Sequence, residues 1–170
     1  CGYCDFLSFT GREGQIGEYL RALQSEACKF QGYTARTVFL GGGTPSILPE
    51  GAVFKLIEGI DAAIPIEAGA ECTIEANPHT ITKEKIREYR SAGLNRISIG
   101  LQSASDRLLT RIGRTHTYGD FCRSIELAAA AFPHINADMM YALPGQTIAD
   151  VEETAVALTR FPIDHISAYA

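Results

Sequence analysis

Cys1 and Cys4 have the residue type and the spacing that most directly suggest chemistry. They form a C-x-x-C pair in the opening stretch CGYCDFLSF. Such a pair can be a redox couple, half of a structural zinc site or part of an iron–sulfur site. A thioredoxin-like pair precedes a helix, whereas this one leads into apolar residues and then the glycine-rich stretch TGREGQIG. A structural zinc site needs two more ligands, and no second cysteine pair follows. An iron–sulfur cluster completed by a thiolate upstream of residue 1 is the third interpretation.

Polar and glycine-rich residues also follow four successive apolar stretches that read as strands. GGGTPS follows TVFL, Glu75 and Asn77 follow CTI, Gln102 follows ISIGL, and Asp138 lies within INADMM. Ligands of parallel α/β sheets bind at the carboxyl ends of the strands, where the loops converge. The pattern therefore predicts a ligand site along one rim of the sheet.

Each of these features has a purely structural alternative. The three glycines at 41–43 could form only a tight turn, with Thr44 or Ser46 as an N-cap. They match neither the G-x-G-x-x-G dinucleotide pattern nor a P-loop, but they would let a ligand reach the backbone directly. Glu75 is harder to explain without a partner, because a carboxylate within an apolar strand is costly unless a cation pairs with it. Gln102 and Asp138 could each simply satisfy loop backbone groups.

Arg114 and His116 lie together in the stretch RIGRTHT, after a short helical segment. A solvated arginine and a loop histidine are the ordinary interpretation of such a stretch. The other histidines, His79, His134 and His165, show no metal-ligand spacing to one another, so we interpret them as structural.

The elements that must position these residues alternate between two hydrophobic periods. Strand-like stretches cover 36–42, 70–78, 95–102, 134–145 and 165–170. Helical periodicity covers 17–30, 50–63, 83–92, 120–131 and 147–160. Thr82 and Thr147 are suited to cap helix N-termini, and Gly93 is suited to end a helix in a left-handed conformation.

This alternation predicts an α/β fold with parallel strands joined by right-handed helical crossovers. Either an open parallel sheet or part of a (β/α) barrel satisfies the pattern. A complete eight-fold barrel takes about 250 residues. We therefore expect a partial TIM-like barrel in one domain, 1–170, whose first strand precedes residue 1 and whose remainder follows residue 170.

The composition is that of a single globular domain, with 46% hydrophobic and 21% charged residues. A net charge of −5 without a basic run argues against a nucleic-acid partner and favours a small molecule. No apolar run reaches the roughly 18 residues of a membrane span, so we expect a cytoplasmic protein. The odd number of cysteines argues against a disulfide framework. We expect the three cysteines outside the C-x-x-C pair to be buried core residues, namely Cys28, Cys72 and Cys122.

Taken together and in order, these motifs resemble the radical SAM superfamily over essentially the whole chain. The resemblance is to the branch that contains oxygen-independent coproporphyrinogen III dehydrogenase and the HemW heme chaperone. The superfamily's cluster motif is C-x3-C-x2-C, so Cys1 and Cys4 match its second and third cysteines, and the first would lie upstream. The other matching segments are GGGTPS (41–46), EANP (75–78), NRISIGLQS (95–103), GRTH (113–116) and ALPGQT (142–147).

The resemblance implies a (β/α)6-type barrel that binds a [4Fe–4S] cluster and S-adenosylmethionine. It implies Cys1 and Cys4 as metal ligands and a reducing electron donor as a partner; electron transfer would give a 5′-deoxyadenosyl radical. It assigns no catalytic residue in this chain. The residues that it places around the cofactor or on the substrate side are Tyr3, beside the adenine, Gly42, Gly43, Thr44 and Glu75, beside the methionine moiety, and Gln102, Arg114 and Asp138.

Two functions in this branch compete. One is the oxidative decarboxylation of coproporphyrinogen III to protoporphyrinogen IX, and the other is the binding and delivery of heme. The decarboxylating enzymes carry a further cysteine two residues after the third cluster ligand, whereas here Cys4-Asp5 is followed by Phe6. This difference favours a HemW-like heme chaperone, with heme as a third candidate ligand. The chain departs from the HemW-like pattern at Tyr141-Ala142, where that pattern has His-Gly before Leu-Pro.

Overall fold

The computed structural model describes residues 3, 4, 9 and 11–170, and its centre is a five-stranded sheet. All neighbouring strands are parallel and their order follows the sequence. The sheet curls into a half-barrel, which confirms the predicted α/β fold and partial barrel. The strands are β1 (Ala35–Leu40), β2 (Ile66–Ala76), β3 (Arg96–Gln102), β4 (His134–Met140) and β5 (His165–Tyr169).

Parallel strands are joined by right-handed connections, which place helices on one face of a sheet. In the described residues, one α-helix precedes β1 and five lie in the connections between strands. They are α1 (Ile16–Ala27), α2 (Ala52–Ala63), α3 (Lys83–Ser91), α4 (Asp106–Arg111), α5 (Tyr118–Ala129) and α6 (Ile148–Leu158). Thr82 caps α3 and Thr147 caps α6, as predicted, and Gly93 adopts a φ of 85°. Thr117 begins α5 with a capping box like that of Thr147.

The two faces of the sheet differ sharply in chemistry. Side chains directed towards the helices form the apolar core, with Ile74, Ile97 and Ile99 fully buried in it. The alternate positions, which face the concave side, are polar: Thr73 and Glu75 on β2, Ser98 on β3, and Asn136 and Asp138 on β4. Since strand side chains alternate between faces, one short sequence period produces both a core and a polar inner surface.

Two strands differ from their predicted limits by four residues or more at one end. β2 begins at Ile66, four residues early, and Gly69 with a φ of 82° lies in its first half, where the pairing with β1 is irregular. β4 ends at Met140 rather than near Gly145. Ala142 adopts a left-handed φ of 59° and Pro144 has no N–H to donate, so the ladder cannot continue.

The cysteine prediction is correct at Cys72, which is buried, and wrong at Cys28. Cys28 follows α1 in a short 3-10 helix at the surface and is exposed. Cys122 is partly buried. Within the described part of the chain, no helix combines the length and apolar character needed to cross a membrane.

Candidate functional site

The glycine turn after β1 brings the backbone of the chain next to Glu75. The Gly42 N–H donates to a Glu75 carboxylate oxygen at 3.1 Å, and Gly42 has a left-handed φ of 82°. A Cβ at Gly41 would lie 3.1 Å from the Glu75 carboxyl carbon, too close for a comfortable contact. A Cβ at Gly43 would meet no atom of the described residues within 4 Å. Packing thus accounts for Gly41 and the left-handed φ for Gly42, whereas Gly43 leaves its backbone open to a ligand.

Thr44 and Ser46 connect this turn to the end of β2 instead of capping a helix. The Asn77 side-chain amide donates to the Thr44 hydroxyl at 3.1 Å, and the Asn77 backbone N–H donates to the buried Ser46 hydroxyl at 3.1 Å. The Thr44 hydroxyl itself donates to the Gly43 carbonyl at 2.8 Å. These bonds hold the glycine turn and the Asn77 segment as one unit.

Two carboxylates, Glu75 and Asp138, face the concave side at the carboxyl ends of β2 and β4. Burial raises the pKa of Glu75; the Gly42 N–H opposes this shift and the charge of Asp138 adds to it. Burial also raises the pKa of Asp138, against hydrogen bonds from Asn136 at 2.7 Å and from Ser98 at 3.3 Å. Among the described residues, no lysine, arginine or histidine lies within 4 Å of the Glu75 carboxylate. This arrangement suits a cationic ligand.

Arg114 lies on the same rim and joins several separate segments. One terminal nitrogen, Nη2, donates to the Asn77 side-chain oxygen at 2.7 Å and to the Gly100 carbonyl at 3.0 Å. Nη1 lies 3.5 Å from the Tyr3 hydroxyl, and Nε donates to His116 Nδ1 at 3.3 Å. The expected solvated arginine is therefore a half-buried and extensively bonded group.

His116 is also different from the loop histidine that the sequence suggests. Only 3% of it is exposed, and its Nε2 lies 3.2 Å from the Leu101 carbonyl oxygen. Burial, with Arg114 as the next cause, lowers the pKa of His116 to about 4. The ring is therefore neutral near pH 7.

Gln102 follows a bulge in β3 and has an unusual backbone conformation. Its φ is 70°, and the pairing with β4 shifts between Gly100 and Gln102. A Cβ on Gly100 would lie 2.9 Å from the Gln102 amide nitrogen and 3.1 Å from Arg114 Nη2. The missing side chain at Gly100 therefore leaves the space beside this residue to the Gln102 amide and the Arg114 guanidinium.

Tyr3 brings the start of the described chain to this rim. It is half-buried against Leu108, Ile112, Met140 and Leu143. Burial raises the pKa of Tyr3, while the Arg114 charge opposes the shift. The neighbouring Cys4 thiol is exposed.

The predicted cluster site can be inspected only in part, because Cys1 lies outside the described residues. Residues 3, 4, 9 and 11–170 contain no group of three or more His, Cys, Asp or Glu side chains that could hold a metal ion. The assignment of the Cys1 and Cys4 thiolates as cluster ligands stays a prediction.

The structure places the predicted cofactor residues around one rim. Hydrogen bonds connect Tyr3 to Arg114, connect Arg114 through Asn77 to Thr44 and Gly43, and connect Gly42 to Glu75. Gln102 lies beside Gly100 near Arg114, and the charge of Asp138 acts on Glu75. Sequence reasoning missed the roles of Asn77 and His116 in holding Arg114. Both belong to segments already singled out, EANP and GRTH, but only the fold shows that they meet at Arg114.

Comparison with known proteins places this rim in context. A family profile described as Radical SAM superfamily matches residues 1–158. The heme chaperone HemW of Lactococcus lactis is 36% identical over 171 residues, covering 100% of this chain and 45% of the relative. HemW of Bacillus subtilis is 36% identical over 176 residues, covering 100% and 46%. HemW of Escherichia coli is 38% identical over 156 residues, covering 88% and 41%. The chain thus spans less than half the length of these relatives.

Solved structures show the same architecture. The coproporphyrinogen III oxidase HemN of Escherichia coli, described as a radical SAM enzyme, superposes with a TM-score of 0.90 at 25% identity. That match covers 99% of this chain and 40% of the other. Methylornithine synthase superposes with a TM-score of 0.66 at 14% identity, covering 87% of this chain and 42% of the other, and indicates the fold alone.

Proposed function

The chain belongs to the radical SAM superfamily, and on that premise we propose that residues 1–170 form the cofactor-binding core of a heme chaperone of the HemW type. Membership of the superfamily implies a [4Fe–4S] cluster and S-adenosylmethionine. The observation that supports the cofactor assignment is the presence of opposite charges at one rim. The half-buried Glu75 carboxylate, with no cationic side chain of the described residues within 4 Å, lies at the same rim as a guanidinium fixed by hydrogen bonds.

The described residues fit S-adenosylmethionine by charge and shape. The cofactor carries an ammonium group, a carboxylate and a sulfonium. Glu75 is a half-buried acceptor for the ammonium group, and the open backbone at Gly43 allows close approach beside it. Arg114 supplies the positive charge that an anionic group needs. Tyr3 offers an aromatic ring at the same rim, while Gln102 and Asp138 supply an amide and a carboxylate for the remaining polar atoms.

The cluster assignment rests on Cys1, Cys4 and a third thiolate expected upstream. When bound, the reduced cluster supplies the single electron needed to cleave a carbon–sulfur bond of the sulfonium. The residues of this chain bind and orient the cofactor. We also propose a cytoplasmic location, since reduced clusters and free thiols suit a reducing compartment.

A tetrapyrrole partner is the finer part of the proposal. Three relatives at 36 to 38% identity are named heme chaperones, and Cys4-Asp5-Phe6 lacks the additional cysteine of the decarboxylating enzymes. The decarboxylation of coproporphyrinogen III is the second candidate, because the HemN structure superposes at a TM-score of 0.90. The electron donor for either function is a separate protein or small reductant.

The test uses the full-length protein, reconstituted with iron and sulfide without oxygen. Hemin and coproporphyrinogen III are each titrated in the presence of S-adenosylmethionine. We expect saturable hemin binding and no loss of coproporphyrinogen. Turnover to protoporphyrinogen with release of 5′-deoxyadenosine would establish the second candidate instead.

A matched pair of variants tests the cluster site separately. Cys4 and Cys28 are both exposed, but only Cys4 is assigned to the cluster. Cys4→Ser should abolish the iron–sulfur absorbance and the EPR signal of the reduced protein, whereas Cys28→Ser should retain both. Equal cluster content in the two variants would contradict the assignment.

A further inference from the structure

We propose that His116 is a positioning residue for the cofactor: it accepts a hydrogen bond from Arg114 Nε and thereby fixes the plane of the guanidinium at the rim. This inference rests on the proposed binding of S-adenosylmethionine, with Arg114 as one of its contacts. It adds a role for a buried side chain that does not itself lie against the ligand.

The two ring nitrogens of His116 have partners with opposite requirements. The Leu101 carbonyl, 3.2 Å from Nε2, can only accept, so Nε2 must carry the hydrogen. Arg114 Nε, 3.3 Å from Nδ1, can only donate, so Nδ1 must present its lone pair. Both contacts select the same neutral tautomer. The backbone of β3 therefore orients the ring, and the ring in turn orients the arginine.

Fixing a guanidinium plane requires more than one point of attachment. Arg114 Nη2 is held by the Asn77 side chain and the Gly100 carbonyl, and both bonds leave from a single nitrogen. Nη1 lies 3.5 Å from the Tyr3 hydroxyl, a long contact that restrains the plane less than a short bond would. The bond from Nε to His116 is made on another corner of the plane. It therefore adds a restraint on the direction in which Nη1 points.

Close packing around the arginine makes its orientation matter. A Cβ on Gly100 would lie only 3.1 Å from Nη2, so the guanidinium occupies the space that a side chain at position 100 would take. A small rotation would either collide with this strand or withdraw the charge from the rim. Binding sites lose affinity steeply with such displacements, because charge-assisted hydrogen bonds depend on direction.

Protonation of His116 would remove its role, because a hydrogen on Nδ1 would then face the Arg114 N–H. The charges around the ring agree with a neutral state. Burial and the neighbouring Arg114 and His79 disfavour the imidazolium, and the Leu101 carbonyl and Asp120 offset them only in part.

Two isosteric variants separate positioning from simple structural support. In His116→Asn, the side-chain oxygen takes the place of Nδ1 and keeps an acceptor for Arg114, while the bond to Leu101 is lost. In His116→Gln, the side-chain nitrogen takes the place of Nε2 and keeps the bond to Leu101, while the acceptor for Arg114 is lost. Each variant retains one of the two hydrogen bonds.

The experiment measures the affinity for S-adenosylmethionine and the thermal midpoint of both variants in the reconstituted full-length protein. We expect His116→Gln to weaken binding at least about tenfold and His116→Asn less than about threefold, whichever is the more stable. The change in the cluster EPR spectrum on cofactor addition should follow the same order. Affinities that instead follow the thermal midpoints would overturn the proposal and indicate a structural role.

An Arg114→Lys background provides the second check, because lysine has a charge but no Nε–H to be positioned. In that background His116→Gln should lose its effect on affinity, and a persisting tenfold effect would overturn the proposal. Failure of the unsubstituted protein to bind S-adenosylmethionine would refute the proposed function. Normal binding by the unsubstituted protein with equal affinities in the two His116 variants would refute only the positioning role.

Discussion

The acidic side of the rim, at Glu75, and its basic side, at Arg114, are stabilised in opposite ways. Glu75 accepts one backbone N–H, and burial raises its pKa, so its charge is costly before a ligand arrives. Arg114 is held by the Asn77 side chain, the Gly100 carbonyl and His116. On the proposed function, the ligand supplies the counter-charge for Glu75, whereas the fold organises Arg114 in advance.

Removing the basic group should have the largest effect on both folding and binding. Arg114→Ala leaves the Asn77 oxygen, the Gly100 carbonyl and His116 Nδ1 without their donor. We expect a loss of about 3 kcal/mol in the free energy of unfolding and about 100-fold weaker binding of S-adenosylmethionine. Urea unfolding and calorimetric titration measure the two effects. Arg21→Ala, at an exposed position on α1, should change neither, and equal effects of the two substitutions would refute the comparison.

Lowering the pH should reduce the free energy of unfolding, because His116 beside Arg114 becomes protonated more readily in the unfolded chain. Its pKa of about 4 in the folded protein lies below its ordinary 6.5, so the unfolded chain binds the proton first as the pH falls. The loss of stability therefore begins below about pH 6.5 and is complete near pH 4. Relative to His116→Asn, the unsubstituted protein should lose about 2 kcal/mol between about pH 7.5 and pH 5. Parallel pH profiles of unfolding free energy in the two proteins would contradict this.

The acidic side should respond in the opposite direction, with a smaller effect. Glu75→Gln removes a costly charge and keeps an acceptor for the Gly42 N–H, so the free protein should be as stable or more stable. Binding of S-adenosylmethionine should nevertheless weaken at least about tenfold, since the ammonium group loses its counter-charge. A variant that loses stability without losing affinity would show that Glu75 is structural.

The pH dependence of this variant sharpens the comparison further. Because the folded pKa of Glu75 is raised, its protonated form stabilises the protein at low pH, and this contribution disappears as the pH rises through the folded pKa. The unsubstituted protein should therefore lose stability relative to Glu75→Gln on going from acid to neutral pH.

The sequence pattern around Glu75 predicts its role, whereas the pattern around Arg114 does not predict the contacts of this arginine. Glu75 stands out in the sequence because a carboxylate interrupts an apolar strand. The strands and crossover helices are likewise visible as hydrophobic periods. Arg114 gives no such signal, since its key contact, Asn77, is 37 residues away and meets it only when β2 and β3 pair. The burial of His116 depends in the same way on the backbone of β3.

Two wrong predictions, the end of β4 and the burial of Cys28, also depend on backbone features that the sequence does not reveal. β4 ends early because Ala142 adopts a left-handed conformation that alanine seldom takes, and Cys28 is exposed because the chain after α1 runs along the surface. At Ala142 the chain lacks the glycine of the HemW-like pattern, so nothing in the residue type itself announced the turn.

Gln102 and Ala142 are the two non-glycine residues in the described chain with positive φ; Gln102 ends β3 and Ala142 follows the neighbouring strand β4. Such a conformation costs about 1 kcal/mol or more at each position. A selection for thermal stability alone would therefore favour glycine at both. At exposed position 142 that replacement removes only a methyl group, but at position 102 it removes the side-chain amide that lies, like Arg114, beside Gly100. In variants selected for thermal stability and for retained ligand binding, we therefore expect glycine at position 142 but not at position 102. Such a result would separate backbone strain that is needed for the ligand from strain that is not.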